Sequence, residues 1–133
     1  MNLSEATNAA TPLIQVQVAA LSPAPDFELD NMETGTGARR ARLTYNYDQS
    51  RPVEKGHGLT DRTLVVATVQ LRYPLGQGIG QQLEAADILK RHFQGESFGG
   101  LTWLTGWVDR VGRDGDRYLV NVHLPFEVEN IAP

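Results

Sequence analysis

Three histidines, a glycine-rich turn, an aspartate pair and four serines are the residues of this chain whose types could do chemistry. Their spacing decides what they do. His57, His92 and His123 lie far apart, none at the i,i+4 helical or i,i+2 strand spacing that lets two imidazoles share a metal. Gly76, Gly78 and Gly80 follow an apolar run and precede a helical pattern, the place of a dinucleotide fingerprint. The third glycine of that motif would fall at Gln81 or Leu83, so the run reads as a flexible turn. Asp114 and Asp116 match a fragment of a calcium loop without its other oxygen ligands or its closing Glu. Ser4, Ser22, Ser50 and Ser97 stand in no nucleophile-elbow pattern. With no cysteine, thiolate zinc sites, disulfides and cysteine nucleophiles are excluded. The residues therefore predict no catalytic, cofactor-binding or metal site, and no enzyme.

The elements that must position these residues belong to a chain of 133 residues, with 12 Lys and Arg against 16 Asp and Glu, a net charge of −4 and a pI near 5.3. That balance argues against nucleic-acid binding driven by overall charge. Length and the 41% hydrophobic fraction fit one compact domain over 1–133. No apolar run reaches the roughly 18 residues of a membrane-spanning helix, and the N-terminus has no basic leader pattern, so an intracellular, soluble protein is expected. The charge is uneven. Residues 1–38 hold five acids (Glu5, Asp26, Glu28, Asp30, Glu33) and no Lys or Arg; the remainder holds 11 acids and all 12 bases. Such an acidic stretch is either a solvated segment or an arm for a basic surface.

Along the chain, residues 1–10 are expected to be poorly ordered. Thr11-Pro12 offers an N-cap followed by Pro at the first helical position, opening a short helix that ends before Pro23. Residues 26–37 read as a loop with a short extended piece at 27–29. A clean alternation follows: Ala41, Leu43, Tyr45 and Tyr47 share one face, and Arg40, Arg42, Thr44 and Asn46 the other. Residues 48–61 form a long polar loop, and loops of that length are often functional. Val65, Ala67, Val69, Leu71 and Tyr73 mark a second strand that ends at Pro74. Ile79, Leu83, Ala86, Leu89 and Phe93 form the buried stripe of a second helix, with Asp87 and Arg91 as an outer i,i+4 pair and Gly95 as its cap. Residues 101–111 read as one strand with Trp103, Trp107 and Val111 on one face. An Asp114-Gly115 turn leads into the alternating run Tyr118, Val120, Val122, Leu124, Phe126 and Val128, where Pro125 indicates an edge position or a bulge. The predicted fold is α+β: a mainly antiparallel sheet with two helices packed on one face, in the order helix-β-β-helix-β-β.

Arg39, Arg40 and Arg42 open one strand and Arg72 ends its neighbour, which pairs them into a basic patch. With Tyr45 and Tyr47 near, this is a weak signature of a single-stranded nucleic-acid-binding module. The tyrosines alternate onto the opposite face from Arg40 and Arg42, which favours a polar sheet face or an ion-paired subunit contact.

The segment Val69-Gln70-Leu71-Arg72-Tyr73-Pro74-Leu75-Gly76-Gln77-Gly78, followed by the helix ending at Phe93, resembles the central part of the tail terminator (tail completion) family of long-tailed bacteriophages. The turn at Asp114-Gly115 and the strand Arg117-Tyr118-Leu119-Val120-Asn121-Val122-His123-Leu124-Pro125-Phe126 resemble its C-terminal part, while residues 22–37 match only loosely. The resemblance implies a virion structural protein with no catalytic residues. Such a protein forms a homo-oligomer, a hexameric ring at the head-proximal end of the tail, and is found in the host cytoplasm during assembly. It ends polymerisation of the tail tube protein and joins the tail to the head-tail connector or stopper protein. DNA passes through its lumen without sequence-specific contact, and no membrane is involved. Another neck or head-completion protein is the nearest alternative. Residues expected at subunit or tube interfaces are Arg40, Arg42, Arg51, Lys55, His57, Arg72, Leu75, Gln77 and Ile79, on the basic strands, the 49–61 loop and the 75–80 link; the acidic 26–33 segment is a further candidate.

Overall fold

A computed structural model of the chain describes residues 3–22, 24–29, 39–47, 51–52, 60–76, 79–98 and 100–131. The elements run α1 (Leu3–Ala19), β1 (Asp26–Leu29), β2 (Arg40–Tyr47), β3 (Arg51–Pro52), β4 (Thr60–Pro74), α2 (Gly80–Phe93), β5 (Ser97–Phe98), β6 (Leu101–Trp103), β7 (Trp107–Asp114) and β8 (Arg117–Ile131). Among the described residues the strands form one curled, mixed sheet, a half-barrel, along β1-β2-β4-β8-β6-β5, with β3 on β4 and β7 on β8.

This corrects the predicted order and the predicted mainly antiparallel sheet. β1 runs parallel to β2, with Phe27 opposite Ala41 and Leu29 opposite Leu43, so the sheet is mixed. Strands of two to four residues, such as β1, β3 and β5, are too short for a period of two to declare itself; the extended piece expected at 27–29 is β1, but its pairing with β2 is not legible at that length.

The first helix also departs from its predicted bounds. It begins at Leu3 and carries Pro12 in its interior, so most of the segment 1–10 is helical. Pro12 removes the N–H that would meet the Asn8 carbonyl, but Asn8 is exposed and water can take that acceptor. Thr7 and Thr11 donate their hydroxyls to the Leu3 and Thr7 carbonyls at 2.8 and 2.9 Å. The same hydroxyls tie the helix to β2, Thr7 to Tyr47 and Thr11 to Tyr45, both at 2.8 Å. Four helical residues rise about 6 Å and two strand residues about 6.6 Å, so the i,i+4 threonines match the i,i+2 tyrosines.

Ala6, Ala10, Ile14 and Val18 of α1 join one core with Ala85, Ala86, Leu89 and Phe93 of α2 and the inward residues of β2, β4 and β8. Phe93, Trp103 and Phe126 pack at a tilt through its centre, with ring centroids 4.4 and 4.7 Å apart. Gln82, buried in the first turn of α2, donates to the carbonyls of Leu71 and Tyr118 at 2.8 Å each and pins the helix across β4 and β8. α2 ends as its sequence predicts, with Gly95 at φ +74° and Asp87 paired to Arg91.

The predicted single strand 101–111 is two strands. The chain breaks at 104–106, which puts Trp103 in the core at 1% exposure and leaves Trp107 outside at 44%. Gly106 makes the crossing possible: a Cβ there would lie 2.3 Å from the His123 carbonyl oxygen. The break also explains Pro125, which sits on an internal strand rather than at an edge. Leu104 N–H donates to the Pro125 carbonyl at 2.9 Å, so the missing N–H faces the same gap between β6 and β7.

Candidate polar interface on the open sheet face

The strands that bury Leu43, Val69 and Val122 on one side carry polar side chains on the other. Register places Arg42 opposite Gln70 and Gln70 opposite Asn121; Thr44 stands opposite Thr68 and Thr68 opposite His123. β1 brings Glu28 beside Arg42, and β7 brings Trp107 beside His123 and Asp109 beside Asn121. These residues bond to one another. Arg42 Nε donates to Glu28 Oε1 at 3.1 Å, and Glu28 is 1% exposed. Gln70 Nε2 donates to Asn121 Oδ1 at 3.1 Å. His123 meets Thr68 through Nδ1 at 3.0 Å and Asp109 through Nε2 at 2.9 Å. With Nε2 protonated toward the Asp109 carboxylate, Nδ1 accepts the Thr68 hydroxyl. The Trp107 ring lies on the His123 imidazole, centroids 4.7 Å apart and nearly parallel. Arg42, Thr44, Asn46, Thr68, Gln70, Asn121 and His123 line a shallow cavity of about 350 Å³.

Asp109, His123 and Thr68 have the composition of a proton relay. Thr68, however, is 7% exposed in mid-strand and stands directly opposite His123, an ordinary cross-strand pair. The arrangement fixes the shape of this face. Among the described residues no group of three His, Asp or Glu side chains could hold a metal ion.

At the end of the face near the β7–β8 turn, Arg40 stands directly opposite Arg72. Arg72 reaches Asp114 only at 3.9 Å, and among the described residues the buried Nε atoms of Arg40 and Arg72 have no hydrogen-bond partner. Arg39 lies over the Tyr73 ring at 5.8 Å; burial raises the Tyr73 phenol above its ordinary value, and the Arg39 charge works against that rise.

Of the residues expected at interfaces, Arg40, Arg42 and Arg72 come together here. Leu75 and Ile79 lie elsewhere, lining a cavity of about 130 Å³ with Gln82 and Tyr118 at the start of α2. Arg51 lies on β3 opposite Arg62, and Lys55, His57 and Gln77 fall outside the described residues. Trp107, Asp109, Thr68, Gln70 and Asn121 are additions from the structure. Alternation along β4 and β8 places Thr68, Gln70, Asn121 and His123 on one side; Trp107 and Asp109 needed the break at 104–106, which no pattern announces.

A second groove, about 470 Å³, lies between α1 and β2 over Tyr45 and Tyr47. Burial pushes the Tyr45 phenol up to about 12, against the Thr11 hydrogen bond that lowers it and with a smaller push from Tyr47. Among the described residues no helix is long and apolar enough to cross a membrane.

No protein family matches the chain, and no curated protein does. A solved structure that carries no functional name superposes on it with a TM-score of 0.67 at 19% identity, covering 100% of this chain and 99% of that one. That likeness shows a shared fold.

Proposed function

We propose that this chain is a virion assembly protein of the tail terminator kind. In that reading copies of it form a ring, a hexamer by resemblance, at the head-proximal end of a phage tail, ending the tube and offering a surface to the connector. The resemblance of the 69–78 turn and the 117–126 strand supports this reading. The structural observation that carries it is the open sheet face: its polar side chains are immobilised by one another, beside an edge strand that exposes Trp107 and Val111. A pre-ordered polar surface with an aromatic at its rim suits docking to another protein, since little side-chain entropy remains to be lost. Adding the purified chain to tails that lack their own terminator tests it: capped tails of fixed length support the proposal, and tails that keep growing count against it.

A nucleic-acid reading has one observation in its favour, that Trp107 shares a face with Arg40, Arg42 and Arg72. Glu28, Asp109 and Asp114 interrupt the positive charge of that face. Binding of single-stranded DNA at low salt that weakens steeply as salt rises would favour it over the assembly reading.

A further inference from the structure

Arg40 and Arg72 face each other across β2 and β4, a position in which like charges repel. Arg42, the next outward residue on β2, is answered by Glu28. Arg40 has no carboxylate of the described residues within ion-pair distance, and Arg72 has only the exposed Asp114 at 3.9 Å. The Nε atoms are buried, while the Arg72 side chain stays 22% exposed, so its outer nitrogens are open to a carboxylate from outside.

The opposite side of the molecule carries the complement. α2 turns Ala85, Ala86, Leu89 and Phe93 into the core and leaves Glu84 and Ile88 exposed, one helical turn apart. Glu84 makes no ion pair with a described residue, and Ile88 is 48% exposed. Among the described residues, one side thus holds two cations short of an anion, and the other a carboxylate with no ion-pair partner beside an apolar side chain.

We infer that Glu84 of a second copy of this chain seats between Arg40 and Arg72. The two patches lie on opposite sides of the sheet, so the contact is head-to-tail and repeats from copy to copy until it closes. This rests on the assembly reading and names the contact within it.

Sedimentation of the full-length chain over a dilution series at low salt tests the contact. The wild type associates, and added salt weakens it. Arg40→Glu with Arg72→Glu raises the association midpoint by about tenfold or more, and so does Glu84→Arg, which leaves the polar face untouched. Arg40→Gln with Arg72→Gln replaces the first pair if circular dichroism shows that it does not fold. A chain with all three reversals associates again. Reversed chains that associate like the wild type overturn the contact while leaving the assembly reading standing. A wild type that stays monomeric at every concentration also overturns it; the assembly reading itself fails only if the chain does not cap tails either.

Discussion

The two faces of one sheet are built from the same strands and do different work. On the inner face of β2, β4 and β8, Leu43, Val69, Leu71, Val122 and Phe126 meet both helices in one core. Such burial is non-directional, contributing about 25 cal/mol per Å² of apolar area removed from water. On the outer face the neighbours Arg42, Gln70, Asn121, Thr68 and His123 are held by directional bonds whose net contribution is about 1 kcal/mol each. The inner face holds the fold, and the outer face gives the fold a fixed surface. Two residues join them: Gly106, which lets the chain cross beneath His123, and the buried Glu28 that anchors Arg42.

That contrast predicts a graded set of losses. Trp103→Ala, in the centre of the aromatic cluster, costs about 3–5 kcal/mol in chemical denaturation, because removing the indole leaves a cavity between Phe93 and Phe126. Gly106→Ala costs about 1–3 kcal/mol and alters Trp107 fluorescence, since its Cβ forces β7 away from the His123 carbonyl. Arg42→Ala costs about 1–3 kcal/mol by leaving the Glu28 carboxylate buried without its cation. A loss as large as that for Trp103→Ala would mean that the outer face also carries the fold. Gln70→Ala, a hydrogen bond on the outer face alone, costs about 0.5–1.5 kcal/mol. A last effect appears only in alkali. The Tyr45 phenol is raised to about 12 in the fold and ionises near pH 10 when unfolded. The stability linked to it is intact below pH 10 and is lost as pH rises toward about 12. Tyr45→Phe should remove that part of an alkaline unfolding profile.

How much of this could be read from the sequence follows from the length of each pattern. β2, β4 and β8 alternate over eight or more residues, and their inward and outward sets are legible residue by residue, including the shared face of Arg40, Arg42 and Arg72. α2 is legible through its apolar stripe, its Asp87–Arg91 pair and Gly95. The start of α1 was hidden because Thr11-Pro12 mimics an N-cap; in the fold Thr7, bonded to Leu3 and Tyr47, and Ala6 and Ala10, buried in the core, belong to the same helix. The partition of Trp103 and Trp107 was hidden because Gly106 acts through the distant His123 carbonyl, a contact made only after β8 is in place. The parallel pairing of β1 was hidden for the same reason: four residues become a strand by docking on β2.

The central claim is that this surface serves assembly at the end of a tail tube. Electron microscopy of tubes lacking their own terminator, after addition of the purified chain, tests it most directly. The account predicts a closed ring of this protein at the head-proximal end of each tube and no further growth. Tubes that lengthen with no ring bound would contradict it.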